Sequence, residues 1–167
     1  MFKFLLYTFV IILILTPLTV SVSINKFDLN TFDRRQNADN ICYIKSKPAR
    51  RSTTLVLINQ SGTDIFYVSS SLADGIWTVG CDPSTIKTIP NGQSLSFANE
   101  SNGGGDEGSV VYEIGEVTPP VSFTIHWVNP LVGGNKYEVN LPTDSKYTYK
   151  APFPPNGDNA YYEITIL

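Results

Sequence analysis

The chain has 167 residues, 42% of them hydrophobic and 16% charged, with a net charge of −3. That length suits one domain with a substantial core, and the acidic balance argues against nucleic acid, whose phosphates need a basic face. Two cysteines and one histidine, His126, lie too far apart in sequence for a structural zinc site, so no metal is expected.

The chain begins with Met1-Phe2-Lys3 and then runs uncharged from Phe4 to Ile24. Lys3 is a short basic region, Phe4–Leu15 an apolar one, and Pro17 with Thr19, Ser21 and Ser23 supplies a helix breaker and small residues. This is the pattern of a secretory signal peptide, a leader helix over residues 1–23 cut after Ser21 or Ser23. An uncleaved anchor is the alternative, since about 20 apolar residues also span a bilayer. A secreted, extracellular protein is expected. In that compartment Cys42 and Cys81 form one disulfide, closing a loop of about 39 residues and stabilising by roughly 4 kcal/mol on the chain-entropy model. Asn59-Gln60-Ser61 and Asn99-Glu100-Ser101 are sequons, so Asn59 and Asn99 are candidate glycosylation sites.

Residues 24–51 carry seven basic side chains against three acidic ones, hence +4. Residues 52–167 carry four against twelve, hence −8. The first stretch is polar and aperiodic and reads as a basic, poorly ordered arm. It is either solvated, docked on its own acidic domain, or in contact with anionic lipid. Arg34-Arg35 and Arg50-Arg51 are dibasic pairs that a secretory protease would recognise.

From Thr53 onward strand signals recur. Thr53–Asn59 is nearly all apolar, as for a strand covered on both faces. Asp64–Ser71, Ile76–Val79, Ser84–Ile89 and Gln93–Asn99 follow, separated by turns at Gln60–Thr63, Ala73–Gly75 and Pro90–Gly92. Asn102–Glu107 reads as a solvated loop, too sparse in ligands for an EF-hand. Alternation then places Val110, Tyr112 and Ile114 on one face, and Phe123, Ile125 and Trp127 inside with Thr124 and His126 outside. It places Tyr137, Val139 and Leu141 inside with Lys136, Glu138 and Asn140 outside, and aligns Tyr162, Ile164 and Ile166. Lys146–Lys150 is a further strand, and no helix is expected beyond the leader. The fold class is therefore all-β: an antiparallel β-sandwich of about eight to ten strands over residues 52–167.

No catalytic machinery is legible. His126 points away from the core residues of its strand, and no nucleophile elbow or P-loop is present. No enzyme activity and no cofactor are expected. Aromatic rings are more telling. Tyr147, Tyr149, Phe153 and Tyr161 fall near turns, where amphipathic rings suit a membrane interface or a sugar.

The run Phe123-x-Ile125-x-Trp127-x-Asn129-Pro130-x-x-Gly133-x-Asn135-x-Tyr137 resembles the aegerolysin family. The order Ile58–Gly62 then Gly75-Ile76-Trp77, and the turn Gly105–Val110, are similar to it as well. The resemblance covers about 115 residues from Thr53 onward. It implies a small acidic β-sandwich that binds membrane lipids, often through a sphingolipid-like head group, with a larger perforin-like partner in cytolytic members. It points to Trp77, Trp127, Asn129, Pro130, Gly133, Asn135 and Tyr137 as the candidate lipid-binding residues. Val128 stands where members commonly have an acid, and Leu131 where many have an aromatic. The alternative expectation is a carbohydrate-binding or cell-surface recognition module that takes surface glycans.

Overall fold

The structure, a computed structural model, describes residues 41–115, 119–152 and 157–167. The leader, most of the basic arm, Arg34-Arg35 and Phe153 lie outside the described residues. Ten strands are described: β1 (Arg51–Asn59), β2 (Ile65–Asp74), β3 (Ile76–Trp77), β4 (Thr88–Ile89), β5 (Ser94–Ser101), β6 (Asp106–Ile114), β7 (Val121–Asn129), β8 (Lys136–Asn140), β9 (Tyr149–Lys150) and β10 (Asn159–Ile166). They form two five-stranded sheets, in the orders β3-β5-β1-β10-β9 and β4-β2-β6-β7-β8. The expected β-sandwich is present. All pairings are antiparallel except β1 with β10, which run parallel from Ser52 opposite Asn159 to Asn59 opposite Ile166. Among the described residues no helix is long and apolar enough to cross a membrane.

Alternation sets the core. Leu55, Leu57, Phe97, Tyr162, Ile164 and Ile166 of the first sheet meet Val110, Tyr112, Ile114, Phe123, Ile125 and Trp127 of the second. Thr124 and His126 face outward, as the period-two pattern requires. Val139 is buried and Tyr137 half-buried, while Lys136, Glu138 and Asn140 are exposed.

β1 is covered on both faces, as its apolar run predicts. Its outer side is closed by a segment the sequence reading left as a loose arm. Residues 41–46 are helical and are held down by the Cys42–Cys81 disulfide, with Cα atoms 5.8 Å apart. Both cysteines bury against Ala98. Ser46 Oγ lies 3.1 Å from Thr54 Oγ1, and Tyr43 meets Tyr161 edge-on at 5.5 Å. Over these residues Ile41 and Ile44 are exposed while Cys42 and Ser46 are buried, so the hydrophobic pattern gives no signal of a packed helix. Two further differences are local. Within Ser84–Ile89 only Thr88–Ile89 is strand, because Asp82 caps a 3-10 turn at Pro83–Thr85. Within Lys146–Lys150 only Tyr149–Lys150 pairs, with Ile166 and Thr165.

Within the second sheet, β6 is crowded by its neighbours β2 and β7 at Gly108. A Cβ built there would sit 2.5 Å from Trp127 Cζ2, 2.6 Å from Leu72 Cδ2 and 2.9 Å from the Ser71 carbonyl oxygen. Gly108→Ala is therefore expected to destabilise by about 1–3 kcal/mol through overpacking. Gly103→Ala, with open space around it, is expected to stay within about 0.5 kcal/mol of wild type. Urea unfolding followed by tryptophan fluorescence measures both, and equal midpoints for the two variants would contradict the assigned packing.

Candidate functional site

One end of the sandwich gathers the starts of β1, β6, β8 and β10 with the ends of β2, β5 and β7. The 102–105 and 130–135 loops form its rim. Beneath the rim lies a buried polar knot. Asn129 is fully buried, and its Nδ2 donates to Ser52 O at 3.1 Å, Asp106 Oδ2 at 3.1 Å and Asp158 O at 3.0 Å. Its Oδ1 accepts from Arg51 Nη1 at 3.1 Å. Arg51 Nη2 also donates to the Leu131 carbonyl at 3.3 Å and pairs with Asp158 Oδ1 at 2.7 Å. One asparagine and one arginine thus tie both sheets to the rim loop.

Asp106 is the unexpected member. The sequence reading placed it in a solvated loop, yet it is the first residue of β6 and 1% exposed. Burial raises its carboxyl from 3.8 to about 7, and the charge of Asp74 adds to this. Neighbouring Thr53, the Asn129 amide and Arg51 pull it down. The Thr53 hydroxyl makes no hydrogen bond of ordinary geometry, so the Asn129 amide at 3.1 Å is the firmer of the two contacts. Asp106 Oδ1, Arg51 Nε and Tyr162 Oη are also buried without a partner. A cleft of about 190 Å³ opens beside the knot, between Asp74, residues 105–107 and residues 128–131.

Above the cleft the rim loop presents two bare aliphatic side chains, Leu131 at 51% and Val132 at 87% exposure. Gly133 bends the tip at φ +115°. Asn135 anchors the far side by donating Nδ2 to Gly157 O at 2.8 Å, and the Tyr137 hydroxyl donates to Pro152 O. The Tyr137 ring packs on Tyr162, 4.9 Å between centroids.

The seven residues picked out by the resemblance therefore divide. Pro130 and Gly133 belong to the rim, and Asn135 and Tyr137 brace it. Trp127 is fully buried, donates Nε1 to Asn99 Oδ1 at 2.8 Å, and packs on Trp77 and Phe97 at 6.0 and 5.9 Å. Trp127 and Asn129 are buried and hold the scaffold, Asn129 from the wall of the cleft, and Trp77 is half-exposed. The turn-side rings are not gathered on this rim: Tyr147 is buried, and Tyr149 sits beside Ile166 at the opposite end.

Both sequon asparagines are corrected by the structure. Asn59 and Asn99 are 0% exposed. Asn59 Nδ2 donates to Thr63 O and Ile89 O at 2.7 and 2.8 Å, and Asn99 Nδ2 to Asp74 O at 3.3 Å. A glycan on either amide is incompatible with this fold. The dibasic pair Arg50-Arg51 is equally unsuited to cutting, because the bond after Arg51 lies inside β1 and Ser52 N bonds Asp158 O at 2.9 Å. His126 pairs with Glu107 Oε1 at 3.1 Å on the outer face of its sheet. Among the described residues no group of metal-ligating side chains is placed to hold a metal ion.

No protein-family model matches the chain, and no curated protein sequence does. Several solved structures share its fold, Nakanori and IP-1A among them. The lipid binding protein Nakanori superposes with a TM-score of 0.62 at 17% identity, covering 83% of this chain and 79% of its own. IP-1A from Alcaligenes faecalis superposes with a TM-score of 0.55 at 18% identity, covering 75% and 94%. The class is thus a small two-sheet β-sandwich domain, and at these identities the likeness is one of fold.

The raised Asp106 carboxyl makes stability depend on pH. Between about pH 4 and 7 the unfolded chain has lost this proton and the folded chain keeps it. The contribution is full below pH 4, falls as pH rises, and is gone above about 7. Asp106→Asn removes it, so the variant's stability relative to wild type is expected to rise by up to about 4 kcal/mol from pH 4 to pH 8. Urea unfolding across that range measures the difference, and a constant difference would contradict the assignment.

Proposed function

We propose that this protein is a secreted, non-enzymatic membrane-lipid-binding β-sandwich of the aegerolysin-like kind, and that it meets the bilayer with the 130–135 rim. The observation that carries the reading is the exposed Leu131-Val132 tip, held by Arg51 and Asn129 beside an acid-lined cleft. Bare aliphatic side chains on a braced loop gain by leaving water for acyl chains, at roughly 1.5–3 kcal/mol per buried side chain. The fold shared with a lipid binding protein supports this reading, and the disulfide fits an oxidising compartment. Leu131 occupies the position where the family pattern has an aromatic, so an apolar anchor is retained there in smaller form. The finer proposal is a sphingolipid-like head group in the cleft, with lysis requiring a perforin-like partner.

A second reading has its own observation. A cleft of about 500 Å³ on the outer face of the second sheet is lined by His126, Val128, Lys136, Tyr137 and Glu138. An aromatic edge with polar neighbours suits a sugar.

Vesicle co-sedimentation over sphingolipid and glycerolipid mixtures tests the first reading. Leu131→Asp with Val132→Asp is expected to weaken binding at least tenfold while leaving thermal unfolding unchanged, because both side chains are exposed. Absence of binding to every mixture removes the reading. Glycan-array signal without vesicle binding replaces it with the second.

A further inference from the structure

Resting on the reading of this rim as the membrane-facing end, we propose that Asp106 is a proton-controlled latch for the 130–135 loop. With the carboxyl neutral, Arg51 holds the loop in place; with the carboxyl ionised, Arg51 is drawn inward and the loop is released.

The geometry sets two complementary orphans in one knot. Asp106 Oδ1 is a buried acceptor with no donor at ordinary hydrogen-bond geometry, the Thr53 hydroxyl included, and Arg51 Nε is a buried donor without an acceptor. Both residues already meet at Asn129, Asp106 through Oδ2 and Arg51 through Nη1, each at 3.1 Å. The rest of the guanidinium is spent outward, on the Leu131 carbonyl at 3.3 Å and Asp158 at 2.7 Å. A neutral acid is tolerated at this depth. An anion is not, unless a cation comes to it. A planar guanidinium has one fork geometry, so turning Nε onto Asp106 gives up the outward anchors that pin the loop.

The surrounding charges set the direction. Asp74 at the end of β2 and Asp158 before β10 are negative, and Glu107, next along β6, is already engaged with His126 at 3.1 Å. Tyr162 of β10 stands near as a neutral hydroxyl whose ionisation burial strongly disfavours. Arg51 is the cation set against the carboxyl. Burial places the Asp106 transition at about 7, so the latch works in the physiological range, closed below it and open above it. No transfer beyond one proton to solvent is involved.

The test has a lipid-free arm and a membrane arm. In the first, NMR follows the Asp106 carboxyl carbon and the Leu131 and Val132 amides from pH 5 to 9. The amides are expected to titrate with the carboxyl's midpoint in wild type, and to lose that step in Asp106→Asn. In the second, binding to zwitterionic vesicles, whose charge is constant over the range, is expected to be about tenfold weaker at pH 8.5 than at pH 5.5. It should be flat in Asp106→Asn and still pH-dependent in His126→Gln. Amides that ignore the carboxyl's titration overturn the latch, as does a pH dependence abolished by His126→Gln and kept in Asp106→Asn. Should Asp106→Asn fail to fold, the wild-type carboxyl and amide midpoints decide alone. Titrating amides with no vesicle binding at any pH leave the latch standing and remove the membrane reading.

Discussion

The side-chain amide of Asn129 is the joint on which this end of the sandwich depends. It is fully buried, donates toward Ser52, Asp158 and Asp106, and accepts from Arg51. Those partners come from both sheets and from the turn that opens β10. A buried amide left unpaired costs roughly 1–3 kcal/mol per orphaned group, so the strand ends are drawn into register around it. Aspartate in its place would add a second buried anion beside Asp106, and leucine would strand four polar groups. Pro130, Leu131 and Val132 follow directly and inherit their position from this joint.

Two residues earlier on β7, the indole of Trp127 makes a parallel demand. Its N–H must find an acceptor inside the core and does so in Asn99, while its ring needs the space that Gly108 leaves. Asn99 consequently has no amide to offer a glycosyltransferase once folded. One strand thus carries an apolar anchor and then a polar one before it reaches solvent. The loop begins from a fixed point, and a braced loop loses less entropy on docking than a free one.

Most of the fold was legible because period-two alternation is a direct imprint of a half-buried strand, and it placed β5 to β8 and β10 on their correct faces. The same parity would have corrected two misreadings. Asn99 shares its face with Leu95 and Phe97, and Asn59 with Leu55 and Leu57, so both sequons lay on the buried side of their own strands. Asn129 likewise follows Phe123, Ile125 and Trp127 inward. Asp106 was obscured differently: Gly103-Gly104-Gly105 suggested a loop running through Glu107, although the inward series 106, 108, 110, 112 and 114 was there to be extended. The parallel pairing of β1 with β10 had no local signature, since partner choice is decided across more than a hundred residues of chain.

The resemblance to a lipid-binding family mixed two kinds of position that the structure separates. Phe123, Ile125, Trp127 and Asn129 are what any chain of this shape needs to close its sheets. Leu131 and Val132 are what this chain shows to its surroundings. A fold shared at 17–18% identity is consistent with that separation, because a sandwich is specified by pattern and its interior tolerates exchange of one apolar side chain for another. On the proposed function, recognition chemistry falls to the loop tip and the cleft beneath it, where substitutions leave the core untouched. Arg51 and Asp106 sit on the boundary between the two. They are buried enough to be part of the scaffold and linked closely enough to Leu131 to govern the surface, so the protonation of an interior carboxyl becomes a property of the exterior rim.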